Sequence, residues 1–323
     1  MPEQGCELTF INKGSPLFFI VFILLDNSRY VLEFVSIIIS SILSAYISTF
    51  CIDGTIFGVN VLLHIFIYSF ILLCFGSFFP EITFPIFMEH GHRVLGLFVT
   101  IFFAFLAKER LTFYKGIHKL IPIICSILLA IQIVAGALVV ILQLETNITT
   151  FHFGNAMVIF ILIYTMCLYK NSEELNSISI FTKKNIPYLF LFLLVYWQLV
   201  LGAYVRHSNA GLACPDFPKC LGYWLPPYLS ESVFVHLSHR ASGILILLIS
   251  MVLIIRAYFK KVEDKIFVNL KRLFYLVILQ VTVGIFVVIS KLAFSMTAVH
   301  LLIALIIVGV ILNLLFAKKE VNS

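Results

Sequence analysis

Charged side chains are scarce in this chain of 323 residues, since aspartate, glutamate, lysine and arginine together make up only 12% of it. Hydrophobic residues make up 61%. This composition leaves too little polar surface to cover a water-soluble globule of such length, so it predicts an integral membrane protein. The long apolar runs should form helices, because the backbone inside hydrocarbon has to satisfy its own hydrogen bonds.

The signals of several other function classes are also missing. The net charge of +6 comes with no basic arm and no patch of basic residues interleaved with aromatics, so no nucleic-acid partner is expected. Aspartates stand singly and form no aspartate-rich motif for a diphosphate with magnesium, which argues against a prenyltransferase. A basic start and a small-residue cleavage site are both absent, so a cleaved signal peptide is not expected.

Apolar stretches of about 20 residues predict membrane-spanning helices over residues 91–107, 120–142, 151–169, 186–205, 234–258, 273–290 and 294–316. Before them we expect a divergent segment, 1–30, and a first span near 31–58. Lysines and arginines concentrate in alternate connections, and this bias predicts that those connections face the cytoplasm. The remaining connections, 80–90, 143–150, 206–233 and 290–293, then lie on the outer side.

Four histidines follow the outer connections, and they belong to a tandem repeat. Glu89-Xaa-Xaa-His92-Arg93 returns 147 residues later as His236-Xaa-Xaa-His239-Arg240. His152 returns 148 residues later as His300, together with Gln132, Gly136, Val139, Val140, Leu144 and Thr149 of the first copy. The repeat predicts an all-α integral membrane protein of two pseudo-symmetric four-helix bundles, with about eight core helices, over residues 31–171 and 186–317.

Histidine is costly inside a membrane unless it is paired or ligated. One alone could hydrogen-bond to a neighbouring helix, but four at matched positions favour a shared cofactor chemistry. Neutral imidazole binds haem iron well, and two facing helices can supply both axial ligands. We therefore predict one haem site at His92 with His152 and another at His239 with His300. Zinc or copper would want three or four ligands, often with cysteine, and no cysteine has a suitable spacing.

The two predicted sites differ in one acid–base group. Glu89 lies three residues before His92, on the same helical face, and His236 takes its place in the second copy. A carboxylate beside a haem edge can relay protons, so the first site is the expected reaction site; an interfacial capping role for the glutamate is the alternative. Three arginines are expected either to bind haem propionates or to anchor helix ends to lipid headgroups: Arg93, Arg206 and Arg240.

Two cysteines, Cys214 and Cys220, lie in the longest outer connection. Their position on the oxidising side favours a disulfide that closes a small loop, with two free thiols as the alternative. Cys74 matches Cys220 in the repeat but has no counterpart of Cys214. Four further cysteines are expected to fill apolar space: Cys6, Cys51, Cys125 and Cys167.

Residues from about 74 to 316 resemble the haem A synthase family. The resemblance lies in the Glu89-Xaa-Xaa-His92-Arg93 motif, the His239-Arg240 pair, the later His152 and His300, and the run Gln198-Leu-Val-Leu-Gly202-Ala-Tyr-Val-Arg206-His207-Ser-Asn-Ala-Gly211-Leu-Ala-Cys214-Pro215-Asp216-Phe-Pro218-Lys-Cys220. It implies an enzyme that converts haem O to haem A by successive hydroxylations of a ring methyl group. Before residue 74 the family's first-helix glycine and threonine–arginine motif is not found.

The resemblance also implies roles for the histidines. His239 and His300 would be the axial ligands of a haem b cofactor, while His92 and His152 would hold haem O with Glu89 beside the reacting edge. The expected partners are haem O, membrane lipid, an electron donor such as quinol, haem O synthase and the terminal oxidase under assembly. We expect a multi-pass protein of the cell's inner (cytoplasmic) membrane, with the histidines near the outer face.

The alternative function is that of a protein that binds haems but catalyses no reaction on them. It is a dihaem b-type membrane cytochrome that passes electrons from quinol without modifying either haem. The presence of Glu89 in one half only argues against two equivalent redox haems.

Overall fold

A computed structural model of the chain describes residues 84–178 and 180–316, with side chains from residue 91 onward. Every regular element in these two ranges is a helix, and the only β-type pairing there is an isolated bridge between Cys220 and Tyr223. Six of these helices are long and apolar enough to cross a membrane. The prediction of an all-α, multi-pass membrane protein is therefore confirmed.

The described ranges contain eight α-helices: α1 Phe84–Phe113, α2 Leu120–Ile141, α3 Thr146–Leu168, the short α4 Ser172–Asn176, α5 Ile186–His207, α6 Glu231–Phe259, α7 Asp264–Ile289 and α8 Phe294–Leu315. Each of the seven spans predicted between residues 91 and 316 falls on one of them. The expected divergent segment 1–30 and the first span near 31–58 lie outside the described residues.

Side-chain caps set the starts of two long helices. The Glu145 carboxylate accepts a hydrogen bond from the backbone N–H of Ile148 at 2.8 Å and so begins α3. That bond, with others from Asn147, holds the pKa of the Glu145 carboxyl below its usual range. The Ser230 hydroxyl likewise accepts from the N–H of Val233 at the start of α6.

Two compact units divide the chain between Thr112 and Phe113. Helix α1 belongs to the first unit, and helices α2 to α8 belong to the second. The division into bundles over 31–171 and 186–317 stays a prediction from the repeat.

Within the second unit, the repeat is visible in the backbone of two helical hairpins. The turn between α2 and α3 places Gln143 and Leu144 at φ of 52° and 64°, and the turn between α7 and α8 places Lys291 and Leu292 at 53° and 65°. The N–H of Leu144 donates to Val139, and the N–H of Leu292 donates to Val287, both at 2.8 Å. These long turn bonds are typical of a helix that ends in the left-handed region. The matching sequence positions therefore have matching local structure.

Helices α3 and α8 form the core of the second unit. About half of each hydrophobic stretch is buried, whereas α2, α5, α6 and α7 bury much less of theirs. Helix α5 packs against α3, α6 and α8, and so joins the two copies of the repeat. At the far ends of the two central helices, the Tyr169 hydroxyl donates to the carbonyl of Phe316 at 2.6 Å, and Tyr164 donates to Asn313 at 3.1 Å. The histidine-bearing helices α3 and α8 are thus the least exposed to surrounding lipid.

Candidate functional site

The four predicted ligands occupy matched places along their helices. His152 is the seventh residue of α3 and His300 the seventh of α8. His92 is the ninth residue of α1 and His239 the ninth of α6. At a rise of about 1.5 Å per residue, every ring therefore lies roughly 10 Å from the start of its helix.

Three of these histidines lie against a glycine of the preceding long helix. A Cβ atom built on Gly136 would stand 3.1 Å from Cε1 of His152, one on Gly284 would stand 3.0 Å from Cε1 of His300, and one on Gly202 would stand 2.9 Å from Cε1 of His239. Any larger residue at these positions would displace the ring. Glycine therefore lets each imidazole lie flush against the neighbouring backbone, in a fixed orientation.

His239 and His300 form the better-defined pair, because both belong to the second unit. Both residues are half-buried, and the Nδ1 atom of His239 is buried without a hydrogen-bond partner among the described residues. Buried polar atoms of this kind call for an explanation such as an absent ligand. The backbone of His239 is fixed as well, since its carbonyl accepts from the Gln198 amide at 2.9 Å.

The described residues contain no group of three or more histidine, cysteine, aspartate or glutamate side chains that could hold a metal ion. A zinc or copper centre with three or four such ligands is therefore not formed in this part of the chain. Paired imidazoles on facing helices of a bundle suit a haem, which needs only two axial ligands. The residues of the second unit fit that group.

His152 is held by a second amide network. The Nε2 atoms of Gln132 and His152 lie 3.1 Å apart, and the Gln132 carbonyl oxygen accepts a hydrogen bond from Asn155 at 2.7 Å. Both amide side chains are buried. The sequence interpretation above gives no role to either amide. The recurrence of Gln132 as Gln280 and the rarity of amides in such apolar helices were signals that could have found Gln132.

The predicted disulfide between Cys214 and Cys220 is present, with the two Cα atoms 4.6 Å apart. Both cysteines are fully buried and pack with Val233 at the start of α6. Asp216 shapes the loop that they close, since its carboxylate accepts from the backbone N–H groups of Leu221 at 2.6 Å and Gly222 at 2.8 Å. These bonds, that from Gly222 foremost, hold the pKa of the Asp216 carboxyl below its usual range.

Arg240 ties this loop to α6. Its Nη1 donates to the carbonyls of Asp216 and Lys219 at 2.9 and 3.1 Å, and its Nη2 donates to the carbonyl of Cys214 at 2.6 Å. The guanidinium also lies 5.8 Å from the ring centre of Phe217. Most of the five N–H donors of Arg240 are therefore bound to protein groups.

His236, the counterpart of Glu89, belongs to the same network. Its Nε2 lies 3.0 Å from Nε of Arg240, and its Nδ1 lies 2.8 Å from the carbonyl oxygen of Ala210. Because an arginine can only donate, Nε2 of His236 must accept, and Nδ1 must carry the proton that binds Ala210. His236 is buried and fully hydrogen-bonded, so its role in this structure is to hold the connection between α5 and α6.

Four predicted site residues remain, one at the end of α5 and three in α1. Arg206 lies in the last turn of α5, half-buried, and its Nη2 is buried without a hydrogen-bond partner in the described part of the chain. Arg93 and His92 are half-buried in α1. Glu89 belongs to α1, but its side chain lies outside the described residues.

Comparison with known proteins places these residues in a family context. Residues 77–312 match the COX15-CtaA family, described as cytochrome oxidase assembly protein. The chain is 30% identical to a heme A synthase of Bacillus licheniformis over 245 residues, which are 71% of this chain and 78% of that protein. It is 29% identical to a heme A synthase of Bacillus cereus strain AH187 over 264 residues, which are 78% of this chain and 84% of that protein. The family match includes all four predicted histidines.

Proposed function

The chain belongs to the COX15-CtaA family of cytochrome oxidase assembly proteins, and we propose that it is a haem A synthase, which oxidises a ring methyl group of haem O to a formyl group and so gives haem A for terminal oxidases. The observation that carries this proposal is the extended similarity to named heme A synthases. The paired histidines support it as well, because two imidazoles suit the iron of a haem better than they suit a zinc or copper centre.

In this proposal the second half holds a resident haem b. His239 and His300 would be its axial ligands, and the glycines at 202 and 284 would fix the planes of the two imidazole rings. The haem b, when bound, supplies one-electron transfer. Support comes from the positions of the two histidines in α6 and α8 of one unit and from the buried Nδ1 atom of His239 without a partner among the described residues.

The first half would bind the substrate haem O through His92 and His152. Glu89 precedes His92 by one helical turn of α1, so we assign it the acid–base role of accepting protons released as the methyl group is oxidised. His236 lies at the equivalent position in the second half, where both of its ring nitrogens form hydrogen bonds, one with Ala210 and one with Arg240. The acid–base group is therefore confined to the half that we assign to the reaction.

Propionate binding is best supported for Arg206. Its Nη2 atom is buried without a hydrogen-bond partner among the described residues, and an anionic carboxylate would satisfy it. Arg93 is a further candidate. Arg240 fits this role less well, because its guanidinium already binds three carbonyls of the outer connection.

The proposed location is the inner, cytoplasmic membrane, with the histidine sites near its outer face. The support is the excess of lysine and arginine in the alternate connections and the disulfide in the connection between α5 and α6, since disulfides persist on the oxidising side. A quinol is proposed as the electron donor, and haem O synthase and the terminal oxidase are proposed as assembly partners.

One experiment separates this proposal from a dihaem cytochrome. The protein is expressed with a supply of haem O, and its haems are extracted and identified, with Glu89→Ala and His239→Ala as variants. We expect haem A from the parent chain, loss of the low-spin haem b spectrum in His239→Ala, and retained haem b without conversion in Glu89→Ala. Protohaem alone in every sample would overturn the enzyme assignment in favour of the cytochrome.

A further inference from the structure

A chain of three polar contacts leads from the backbone of α2 to the imidazole of His152. The Asn155 amide nitrogen donates to the carbonyl of Leu128 at 2.9 Å and to the side-chain oxygen of Gln132 at 2.7 Å. The Gln132 amide nitrogen then lies 3.1 Å from Nε2 of His152. Asn155 and Gln132 are both buried, at 7% and 8% exposure, so water does not compete for these contacts.

The backbone carbonyl at one end sets the direction of every hydrogen bond in this chain. A carbonyl can only accept, so Asn155 must turn its NH₂ group toward Leu128. The same NH₂ group then meets the oxygen of Gln132, which leaves the NH₂ group of Gln132 facing His152. It follows that Nε2 of His152 accepts this bond with its lone pair. That lone pair is the one that an iron ion would need for ligation through Nε2.

The second half lacks this arrangement at the equivalent positions. Leu128, Gln132 and His152 return as Leu276, Gln280 and His300, but Asn155 returns as Ile303. Ile303 is buried and offers no donor, and the side-chain oxygen of Gln280 is buried without a hydrogen-bond partner among the described residues. Nothing in the described second half therefore fixes the amide of Gln280 as a donor to His300.

We propose that Gln132, oriented by Asn155, is a positioning residue that competes with haem iron for Nε2 of His152, and that this competition makes the first haem site exchangeable while the second retains its haem. The inference rests on the proposed function, since it assumes that both histidine pairs bind haem. It gives a physical reason why one half of a duplicated chain can release its haem as product and the other can keep it.

The effect of this competition on haem affinity follows from the hydrogen bond between Gln132 and His152, which haem has to break. Releasing a buried hydrogen bond to an imidazole shifts an equilibrium by about tenfold. Removing the competing amide should therefore raise the affinity of the first site for haem by about that factor. The equivalent change in the second half should have little effect, because Gln280 is not held as a donor.

The test measures haem partition with the full-length protein in detergent. Ferric protohaem is bound at two equivalents and competed against apomyoglobin, and the Soret spectra give the affinities of a weaker and a tighter site. His152→Ala assigns the weaker site and His300→Ala the tighter one. Asn155→Leu and Gln132→Met should each raise the affinity of the weaker site about tenfold, while the matched control Gln280→Met should change the tighter site by less than about threefold.

Two outcomes are distinct. If His152→Ala and His300→Ala both bind protohaem as the parent chain does, the proposed haem ligation fails, and this inference falls with it. The competition alone is overturned, and the proposed function stands, in two cases in which the histidine variants do lose their sites. In the first, folded Asn155→Leu and Gln132→Met leave the affinity of the weaker site unchanged. In the second, Gln280→Met has as large an effect on the tighter site as Gln132→Met has on the weaker one. Circular dichroism and size-exclusion chromatography show which variants are folded, and Gln132→Met nearly preserves the side-chain volume.

Discussion

Arg240 illustrates what a single side chain contributes to this protein. Its guanidinium joins α6 to the disulfide-closed connection through three backbone carbonyls and the ring of His236. Hydrogen bonds from a charged donor are each worth about 1.5–3 kcal/mol. From the sequence, propionates and lipid headgroups are the expected partners of this arginine. The carbonyls cannot be predicted from the sequence, because their directions depend on how the chain from Cys214 to Cys220 turns.

Replacement of Arg240 by lysine should loosen the disulfide loop. Lysine keeps the charge but presents it at one point, so it cannot bind three carbonyls at once. We expect dithiothreitol to reduce the bond between Cys214 and Cys220 about tenfold faster, which corresponds to the loss of one such hydrogen bond. The measurement is the mass shift on alkylation with a maleimide. Arg256→Lys, at an exposed position in the last turn of α6, is the matched control, and equal reduction rates in both variants would refute the role.

At the scale of elements, the site depends on how closely neighbouring helices approach. Each of His152, His239 and His300 presents its Cε1 edge to a glycine of the helix before it. An imidazole that is confined in this way keeps its ring plane, and the ring plane sets the orientation of an axial ligand. Each of the helix pairs α2–α3, α5–α6 and α7–α8 therefore orients one imidazole by the contact between its histidine and its glycine.

Gly284→Ala should disturb the second haem site without unfolding the protein. The new methyl group would stand 3.0 Å from Cε1 of His300, closer than nearly all real contacts, so the ring must move. We expect a shifted or weakened low-spin spectrum of bound haem. Gly309→Ala in α8 is the control, because its methyl group would meet only Tyr164 at an ordinary 3.8 Å. A spectrum that is unchanged in Gly284→Ala would contradict the proposed ligand geometry.

Hydropathy located the helices but not their full length. The span predicted at 273–290 is the apolar part of α7, which begins at Asp264 and includes the charged residues Lys271 and Arg272. The connection expected between the spans 234–258 and 273–290 is accordingly short, because α6 continues to Phe259 and α7 begins at Asp264. Charged turns of a helix that extend beyond the bilayer carry no apolar signal, so a hydropathy pattern cannot separate them from a loop.

The repeat predicted the positions of the histidines better than their surroundings. Matching histidines do lie at matching helical positions, and the loop disulfide is present. The hydrogen-bond network at His152 could not be derived, because it depends on Asn155, whose counterpart is Ile303. The break in the repeat at Asn155 and Ile303 is visible in the sequence, but the contacts that it changes depend on how α2 and α3 pack.

At the scale of the whole molecule, the two copies of the repeat touch at the carboxyl-terminal ends of α3 and α8 within the second unit. The hydroxyl of Tyr169 donates to the carbonyl of Phe316, and the hydroxyl of Tyr164 donates to Asn313. Tyr169 and Phe316 also pack edge to face, with ring centres 6.0 Å apart. These contacts fix the ends of the two central helices that are remote from the histidines.

Tyr169→Phe should lower the stability of the second unit while leaving the haem ligands in place. Losing the buried hydrogen bond to Phe316 should cost about 1 kcal/mol, which corresponds to a fall of roughly 2–4 °C in the thermal midpoint for a unit of this size. The midpoint is measured in detergent by loss of the bound-haem signal on heating. Tyr258→Phe, at a residue that is 68% exposed, should leave it unchanged, and a similar fall in both variants would argue against the contact.

The turns between α2 and α3 and between α7 and α8 limit which insertions and deletions the chain can tolerate. Each turn separates a glycine from its histidine by sixteen residues, Gly136 from His152 and Gly284 from His300. Inserting or deleting one residue there would rotate the following helix by about 100° and carry the imidazole away from its glycine. Codon insertions and deletions should therefore be eliminated by selection in these turns, whereas the long connection between α5 and α6 leaves room for them outside the disulfide loop.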